Sequence, residues 1–175
     1  NGKDFTALLA EGKNLIRGFC ESQGDSGYTV LSVEEPFEFT IDGIDVPVIG
    51  ITDLIEEDSS GTIIITDYKT ASRSFGTNDV NSNFQMSLYF MAAKHNGYKD
   101  REIVLKIDAL IKTKVPKIET YYTARSDIDE QRAIKKIRAV WNGIQKGVFV
   151  PNDTGFRCSG CSYKRHCDDW FGGQS

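Results

Sequence analysis

The sequence predicts an α/β domain built on a mixed β-sheet flanked by helices. Three observations lead there. Three strand-like runs follow one another between residues 28 and 69; a helical pattern then separates them from two more strand-like runs ending near residue 123; and a long amphipathic helix comes next. Strands first, then helix, strand, strand, helix, is an order that lets helices cover the apolar faces of a sheet.

Residues 5–21 read as a helix, because Phe5, Leu8, Leu9, Leu15, Ile16 and Phe19 form an apolar stripe interrupted by Gly12. Gly24-Asp25-Ser26-Gly27 is a turn, and a strand follows from about Tyr28 to Phe39. Asp42-Gly43 suits a hairpin turn into a second strand, Val46–Ile55. Another turn at Glu56–Gly61 leads to a third strand, Thr62–Lys69. Residues 71–81 are polar and irregular. A helix from about Ser82 to His95 ends at Asn96-Gly97. Glu102–Lys112 alternates Ile103, Leu105, Ile107, Ala109 and Ile111 and is a strand, with another around Ile118–Thr123. The long helix covers about Ile128–Lys146 with Ile134, Ile137, Trp141 and Ile144 on one face, and Val148–Ser175 has little regular pattern.

At 175 residues the chain suits one domain, and 39% apolar with 26% charged residues is the composition of a globular protein. No apolar run approaches the roughly 20 residues that span a bilayer, and no signal-peptide pattern opens the chain. No membrane partner is therefore expected, and a cytoplasmic setting with reduced thiols is the default. The chain opens at Asn1, and an N-terminal portion is expected to precede it. Net charge is −4 but unevenly spread: residues 1–100 hold 7 Lys+Arg against 16 Asp+Glu, and residues 101–175 hold 14 against 9. An acidic half suited to cations beside a basic half suited to phosphates is one way to build a nucleic-acid enzyme.

The most informative segment runs Gly50-Ile-Thr-Asp53-Leu-Ile, then Ile63-Ile-Ile-Thr-Asp67-Tyr68-Lys69-Thr70. Side chains alternate along a strand, so Asp67 and Lys69 share a face with Ile63 and Ile65 behind them. Asp53, on the preceding strand, reaches the same patch if the two strands pair. Hydrolysis of a phosphodiester needs a hard cation to polarise the phosphoryl oxygen and acidify a water. Mg²⁺ takes oxygen ligands, often one or two carboxylates. Asp53 and Asp67 would supply them, with the Tyr68 carbonyl as a third oxygen and Lys69 beside the ion to orient water or stabilise phosphate charge. Strand-ending aspartates and an ordinary salt bridge would leave the same letters. On the next helix, Gln85 and Tyr89 lie four apart and so share a face.

In order, G-I-T-D-L-I, I-I-I-T-D-Y-K-T and Q-M-S-L-Y resemble the motifs of RecB-type nuclease domains in the PD-(D/E)XK superfamily, over roughly residues 30–170. The resemblance implies a restriction-endonuclease-like core and Mg²⁺ or Mn²⁺ at Asp53, Asp67 and the Tyr68 carbonyl. It further implies Lys69 as the catalytic lysine and DNA contacts from Gln85 and Tyr89, with Thr70 beside the lysine. Such domains usually add a His or Glu from a first helix. Glu11 and Glu34 are weak candidates here, and that helix is expected to precede Asn1.

Of the four cysteines, Cys158, Cys161 and Cys167 fall within ten residues of one another, a ligand-like spacing in a tail at 156–170. F-R-C-S-G-C-S-Y-K-R-H-C is similar to the tail of iron–sulfur members such as AddAB-type and CRISPR-associated exonucleases. That resemblance implies a 4Fe–4S cluster, for which Cys20 is the one upstream cysteine. Zinc completed by His166 or Cys20, and unmetallated thiols, are the other readings. Lys112, Lys114 and Lys117, and Arg132, Lys135, Lys136 and Arg138 on the long helix, line a DNA channel or form a solvated face. The expected function is a metal-dependent DNA exonuclease of recombination, repair or phage DNA processing, with a helicase or recombination partner. The alternative is an inactive nucleic-acid-binding or scaffold domain of the same fold.

Overall fold

The structure, a computed structural model, describes residues 4–22, 24, 27–113, 115–152 and 155–172. They fall in two compact units, Asn1–Lys136 and Ile137–Ser175.

The first unit begins with helix α1 (Phe5–Ser22) and strands β1 (Thr29–Phe39), β2 (Val48–Glu57) and β3 (Ile63–Ala71). Helices α2 (Thr77–Asn81) and α3 (Phe84–Ala93) follow, then a π-helical turn at Lys94–Tyr98, strands β4 (Ile103–Ile111) and β5 (Lys117–Thr123), and α4 (Asp127–Gln145), which continues into the second unit. The five strands form one sheet in sequence order. β3 and β4 pair in parallel and every other neighbouring pair is antiparallel, so the sheet is mixed. A parallel pair cannot be closed by a hairpin, and α2 and α3 are the crossover that joins β3 to β4.

That crossover explains the apolar run at the start of β3. Ile63, Ile64 and Ile65 are all buried, because a strand covered on both faces has no solvent side to keep polar. With Leu105 and Ile107 of β4 and Met86 and Met91 of α3 they make the core. α3 starts where Asn83 caps it, its side chain accepting from the Gln85 N–H at 2.9 Å. Gly97, at φ 100°, lets the chain leave the following turn in a conformation other residues resist.

Some expectations shift. The polar stretch before residue 82 contains α2, too short to show a helical period, and the tail carries a 3₁₀ turn (Phe156–Gly160) and a helix α5 (Lys164–Trp170) in the second unit. α1 packs on β4 and β5, with Leu15 buried and the Phe19 ring edge-on to Tyr68 at 5.4 Å. The rest of its apolar stripe, Phe5, Leu8, Leu9 and Ile16, is exposed.

Gly50 lies opposite Phe37 in the β1–β2 ladder, and a Cβ there would collide with the Phe37 ring. The ring has no room to yield, being buried, edge-on to Tyr89 and stacked on Phe39. Gly50→Ala should therefore destabilise the protein by about 1–3 kcal/mol, as overpacking does. Urea unfolding followed by circular dichroism reads this, and an unchanged midpoint would show that the ring can move aside.

Candidate active site

The β2–β3 ladder ends at Leu54 opposite Thr66, and Asp53 and Asp67 are the next residues on the two strands. Asp53 takes over where the ladder stops: its Oδ2 accepts the Tyr68 N–H at 2.8 Å. A side-chain carboxylate thus satisfies a main-chain donor that a carbonyl would otherwise bind.

Asp67 is 1% exposed. Its Oδ1 accepts from Lys69 Nζ at 2.8 Å, while its Oδ2 is buried without a hydrogen-bond partner. Burial raises the Asp67 pKa above the ordinary carboxylate value. Lys69 and the Tyr89 hydroxyl pull it down, and the negative charge of Asp53 pushes it up. The two carboxylates are therefore close enough to feel each other.

Strand alternation, which puts Asp67 and Lys69 on one face, also faces them toward α3. Lys69 Nζ donates to Gln85 Oε1 at 3.0 Å, the Gln85 amide N–H donates to the Tyr89 hydroxyl at 2.7 Å, and that hydroxyl donates to the Ile51 carbonyl at 3.0 Å. A phenol has one proton, so the hydroxyl shares it between the Ile51 carbonyl and, more weakly at 3.4 Å, Asp67 Oδ1. Burial is the chief reason the Tyr89 pKa rises to about 12, with Asp67 adding to it. The hydroxyl is neutral at any physiological pH.

The structure thus gathers Asp53, Asp67, Lys69, Gln85 and Tyr89. Tyr89 is 3% exposed, with its hydroxyl turned to Ile51 and Gln85, so it holds the glutamine amide rather than facing outward. Thr70 is exposed, and alternation puts it on the opposite face from Lys69. Glu34 lies between Val33 and Glu35, which pair with Leu54 and Thr52, so the register sets it against Asp53. It is exposed and, at φ 49°, the only described non-glycine residue with positive φ. Glu11 lies within α1. Among the described residues no three His, Cys, Asp or Glu side chains are grouped to hold a metal ion. Asp53 and Asp67 are two carboxylates, and neither Glu11 nor Glu34 joins them in such a group.

On the other face, a charge cluster escaped the sequence reading. Lys106 of β4 lies 3.4 Å from Asp108 and 3.6 Å from Glu56, all of them buried or nearly so. The alternation of β4 places Lys106 and Asp108 on one face, but only the strand pairing brings Glu56 of β2 to them.

In the second unit Cys158, Cys161 and Cys167 line one cavity of about 250 Å³ together with Lys164. All are free thiols, and Cys158 Sγ sits 3.7 Å from the Asn152 carbonyl. Among the described residues no three His, Cys, Asp or Glu side chains are grouped to hold a metal, so the three thiols are not gathered as ligands of a cluster or a zinc ion. Cys20 is exposed on α1. Lys112 and Lys117 are exposed, and Lys114 lies outside the described residues.

A family model of the PD-(D/E)XK nuclease superfamily matches residues 8–168. Among solved structures, one from Eubacterium rectale, named as a candidate exonuclease, superposes with a TM-score of 0.57 at 14% identity, covering 91% of this chain and 60% of its own. The structure of SSO0001 superposes with a TM-score of 0.54 at 16% identity, covering 94% of this chain and 71% of its own. At such identities the likeness is one of fold. This chain spans about three-fifths of the Eubacterium rectale protein. No curated protein matches.

Tyr89→Phe keeps the buried ring but strands the Gln85 amide and the Ile51 carbonyl. Leaving such groups unpaired costs roughly 1–3 kcal/mol, and the variant should lose stability in that range. Because the ionised form of Tyr89 lies near pH 12, the loss should be the same from pH 6 to pH 9. Thermal melts across that range check it, and a pH-dependent difference would mean the hydroxyl titrates in the fold.

Proposed function

Because the chain belongs to the PD-(D/E)XK nuclease superfamily, we propose that it is a Mg²⁺- or Mn²⁺-dependent deoxyribonuclease acting as an exonuclease, with Asp53, Asp67 and Lys69 at its centre. The observation that carries the reading is the buried, unpartnered Oδ2 of Asp67 beside a second carboxylate. An oxygen atom removed from water and given no donor is an unfavourable arrangement unless a cation takes it up. The donor set, two carboxylates with the Tyr68 carbonyl as a third oxygen, is of the hard kind that magnesium and manganese prefer. A bound divalent ion would polarise the phosphoryl oxygen and lower the pKa of the attacking water.

The protein's own groups do the rest. Lys69 has three N–H donors, two of them used by Asp67 and Gln85, and its side chain is 34% exposed. The third is left to orient the water or to meet negative charge growing on the phosphate. Gln85, fixed by Tyr89, keeps the ammonium from collapsing wholly onto Asp67, and a substrate oxygen can compete for the Gln85 amide. Tyr89 is a positioning residue in this scheme, and Thr70 shapes the strand end beyond the lysine.

The D-Y-K-T and Q-x-x-x-Y motifs support a RecB-like nuclease working on DNA in recombination, repair or phage DNA processing, with a helicase as the natural partner. The name given to the Eubacterium rectale protein supports exonuclease action. The family match crosses both compact units, which supports one nuclease domain over 1–175 with a cysteine-bearing tail at 156–170. One observation favours a second reading, an inactive nucleic-acid-binding or scaffold domain: the described residues provide two carboxylates but no grouped third.

Labelled single- and double-stranded DNA incubated with Mg²⁺ or Mn²⁺ separates the two. Wild type should cleave, Asp67→Ala should not, and Lys69→Ala should be slower by on the order of a hundredfold or more. Wild type as inert as Asp67→Ala would establish the scaffold reading.

A pH signature follows from Asp67. Its raised pKa means protons compete with the metal at higher pH than for an ordinary carboxylate. Metal affinity, read by Mn²⁺ titration, should begin to weaken on acidification above the ordinary carboxylate range. For folding without metal the sign is opposite to that of a paired surface acid. The folded state binds the proton more tightly, so Asp67 detracts from stability as pH rises through its folded pKa. Asp67→Asn should therefore melt no lower than wild type at neutral pH without metal, and should lose the rise in melting temperature that Mg²⁺ gives wild type. A clearly lower melting temperature for Asp67→Asn without metal would show that the carboxylate is a structural group.

A further inference from the structure

A second polar concavity, of about 310 Å³, opens in the first unit where α2 meets α3. Arg125 is part of its lining, and all five of its N–H donors are used. Nε donates to Ser87 Oγ at 3.0 Å; one terminal nitrogen serves Thr123 Oγ1 and the Ala124 carbonyl; the other serves the Val80 and Asn83 carbonyls. None of these acceptors is a carboxylate, so the guanidinium ties β5 to the α2–α3 junction while its charge stays unpaired by any direct ion pair.

Two more cations line the cavity. Arg132 lies 3.4 Å from Asp129 Oδ1, and Lys136 Nζ stands 5.7 Å from the centre of the Phe84 ring. Asp129 is the one carboxylate among the described lining residues, and its other oxygen is occupied by the N–H and hydroxyl of Ser126. The amide oxygen of Asn81 already accepts from Thr123, which leaves its NH₂ as a donor. The cavity is thus rich in positive charge and free donors and poor in free acceptors, the complement of a phosphate.

Its place on α3 relates it to the active site. Phe84, whose ring Lys136 overlies, directly precedes Gln85, the partner of Lys69. We infer that this cavity is a second phosphate anchor, holding a backbone phosphate of the DNA strand that flanks the one cut at Asp53, Asp67 and Lys69. That the strand is a nuclease substrate rests on the proposed function, whereas the affinity of the cavity for a backbone phosphate does not. The charges meet phosphates and read no base edges, so the anchor fixes the strand without choosing sequence.

The test compares two neighbouring lysines in the full chain. Lys136 lines the cavity, and Lys135 carries the same charge on α4 outside its lining. Binding of a fluorescein-labelled single-stranded oligonucleotide is followed by anisotropy without metal, over a range of salt. Lys136→Ala should weaken binding about tenfold, and the slope of log affinity against log salt should fall by about 0.7, the share of one single-strand phosphate. Lys135→Ala should leave both near wild type. In cleavage, Lys136→Ala should raise KM for oligonucleotides and leave turnover of thymidine 5′-p-nitrophenyl phosphate unchanged, since that substrate offers one phosphodiester. Equal losses in the two variants would overturn the anchor in favour of a diffuse field, and so would no loss in Lys136→Ala. Wild type that binds with this lysine difference but cleaves nothing under Mg²⁺ or Mn²⁺ would uphold the anchor and sink the nuclease reading.

Discussion

The arrangement turns on a carboxylate that the fold has taken out of water and only half satisfied. Asp67 gives one oxygen to Lys69 and has no partner for the other. An isolated buried charge is very costly, and even a paired one is a weak source of stability. The residues around it are placed to tolerate the charge without cancelling it. Lys69 is shared with a neutral amide, Tyr89 stays neutral, and the charge of Asp53, which acts on Asp67, has the same sign. Local discomfort of this sort breaks the agreement between levels that the rest of the fold keeps, and such breaks gather at functional or strained sites.

Several contacts of the first unit hold this group in place. β3 is sandwiched and apolar up to Thr66, and the polar residues begin at the point where its ladder with β2 stops. The ladder end is itself closed by a side chain, since Asp53 accepts the Tyr68 N–H. α3 is held against β2 through the Tyr89 bond to Ile51 and by Phe37, whose ring needs the missing Cβ of Gly50. Arg125 fastens the N-terminal end of the same helix to β5. The helix that carries Gln85 is therefore tied at several points, which keeps the Lys69–Gln85 distance from drifting.

Charge is partitioned by the sheet. One face carries the Asp53, Asp67 and Lys69 group, and the buried Lys106, Glu56 and Asp108 cluster is on the other, reaching Tyr68 electrostatically. Although burial works against its charge, Lys106 has its pKa raised by Asp108 and Glu56, so it stays a cation. There one lysine stands between two carboxylates, and Glu56 Oε2, which has no hydrogen-bond partner, lies 3.6 Å from the Lys106 ammonium, whereas the unpartnered oxygen of Asp67 is not the one that meets Lys69.

Much of this was legible from the chain. Strand alternation fixed Asp67 and Lys69 on one face with Ile63 and Ile65 behind them, and helical spacing put Gln85 beside Tyr89; these follow from backbone periods that any neighbour must respect. What the sequence could not supply depends on who sits opposite. The burial of Tyr89, the exposure of most of the apolar stripe on α1, the meeting of Glu56 with Lys106, and the cavity that unites Arg125 with Arg132 and Lys136 all depend on pairing between distant segments. Local periodicity says which way a side chain points. Only the tertiary structure decides whether it points at solvent, at another charge, or at a partner that leaves one oxygen of Asp67 waiting.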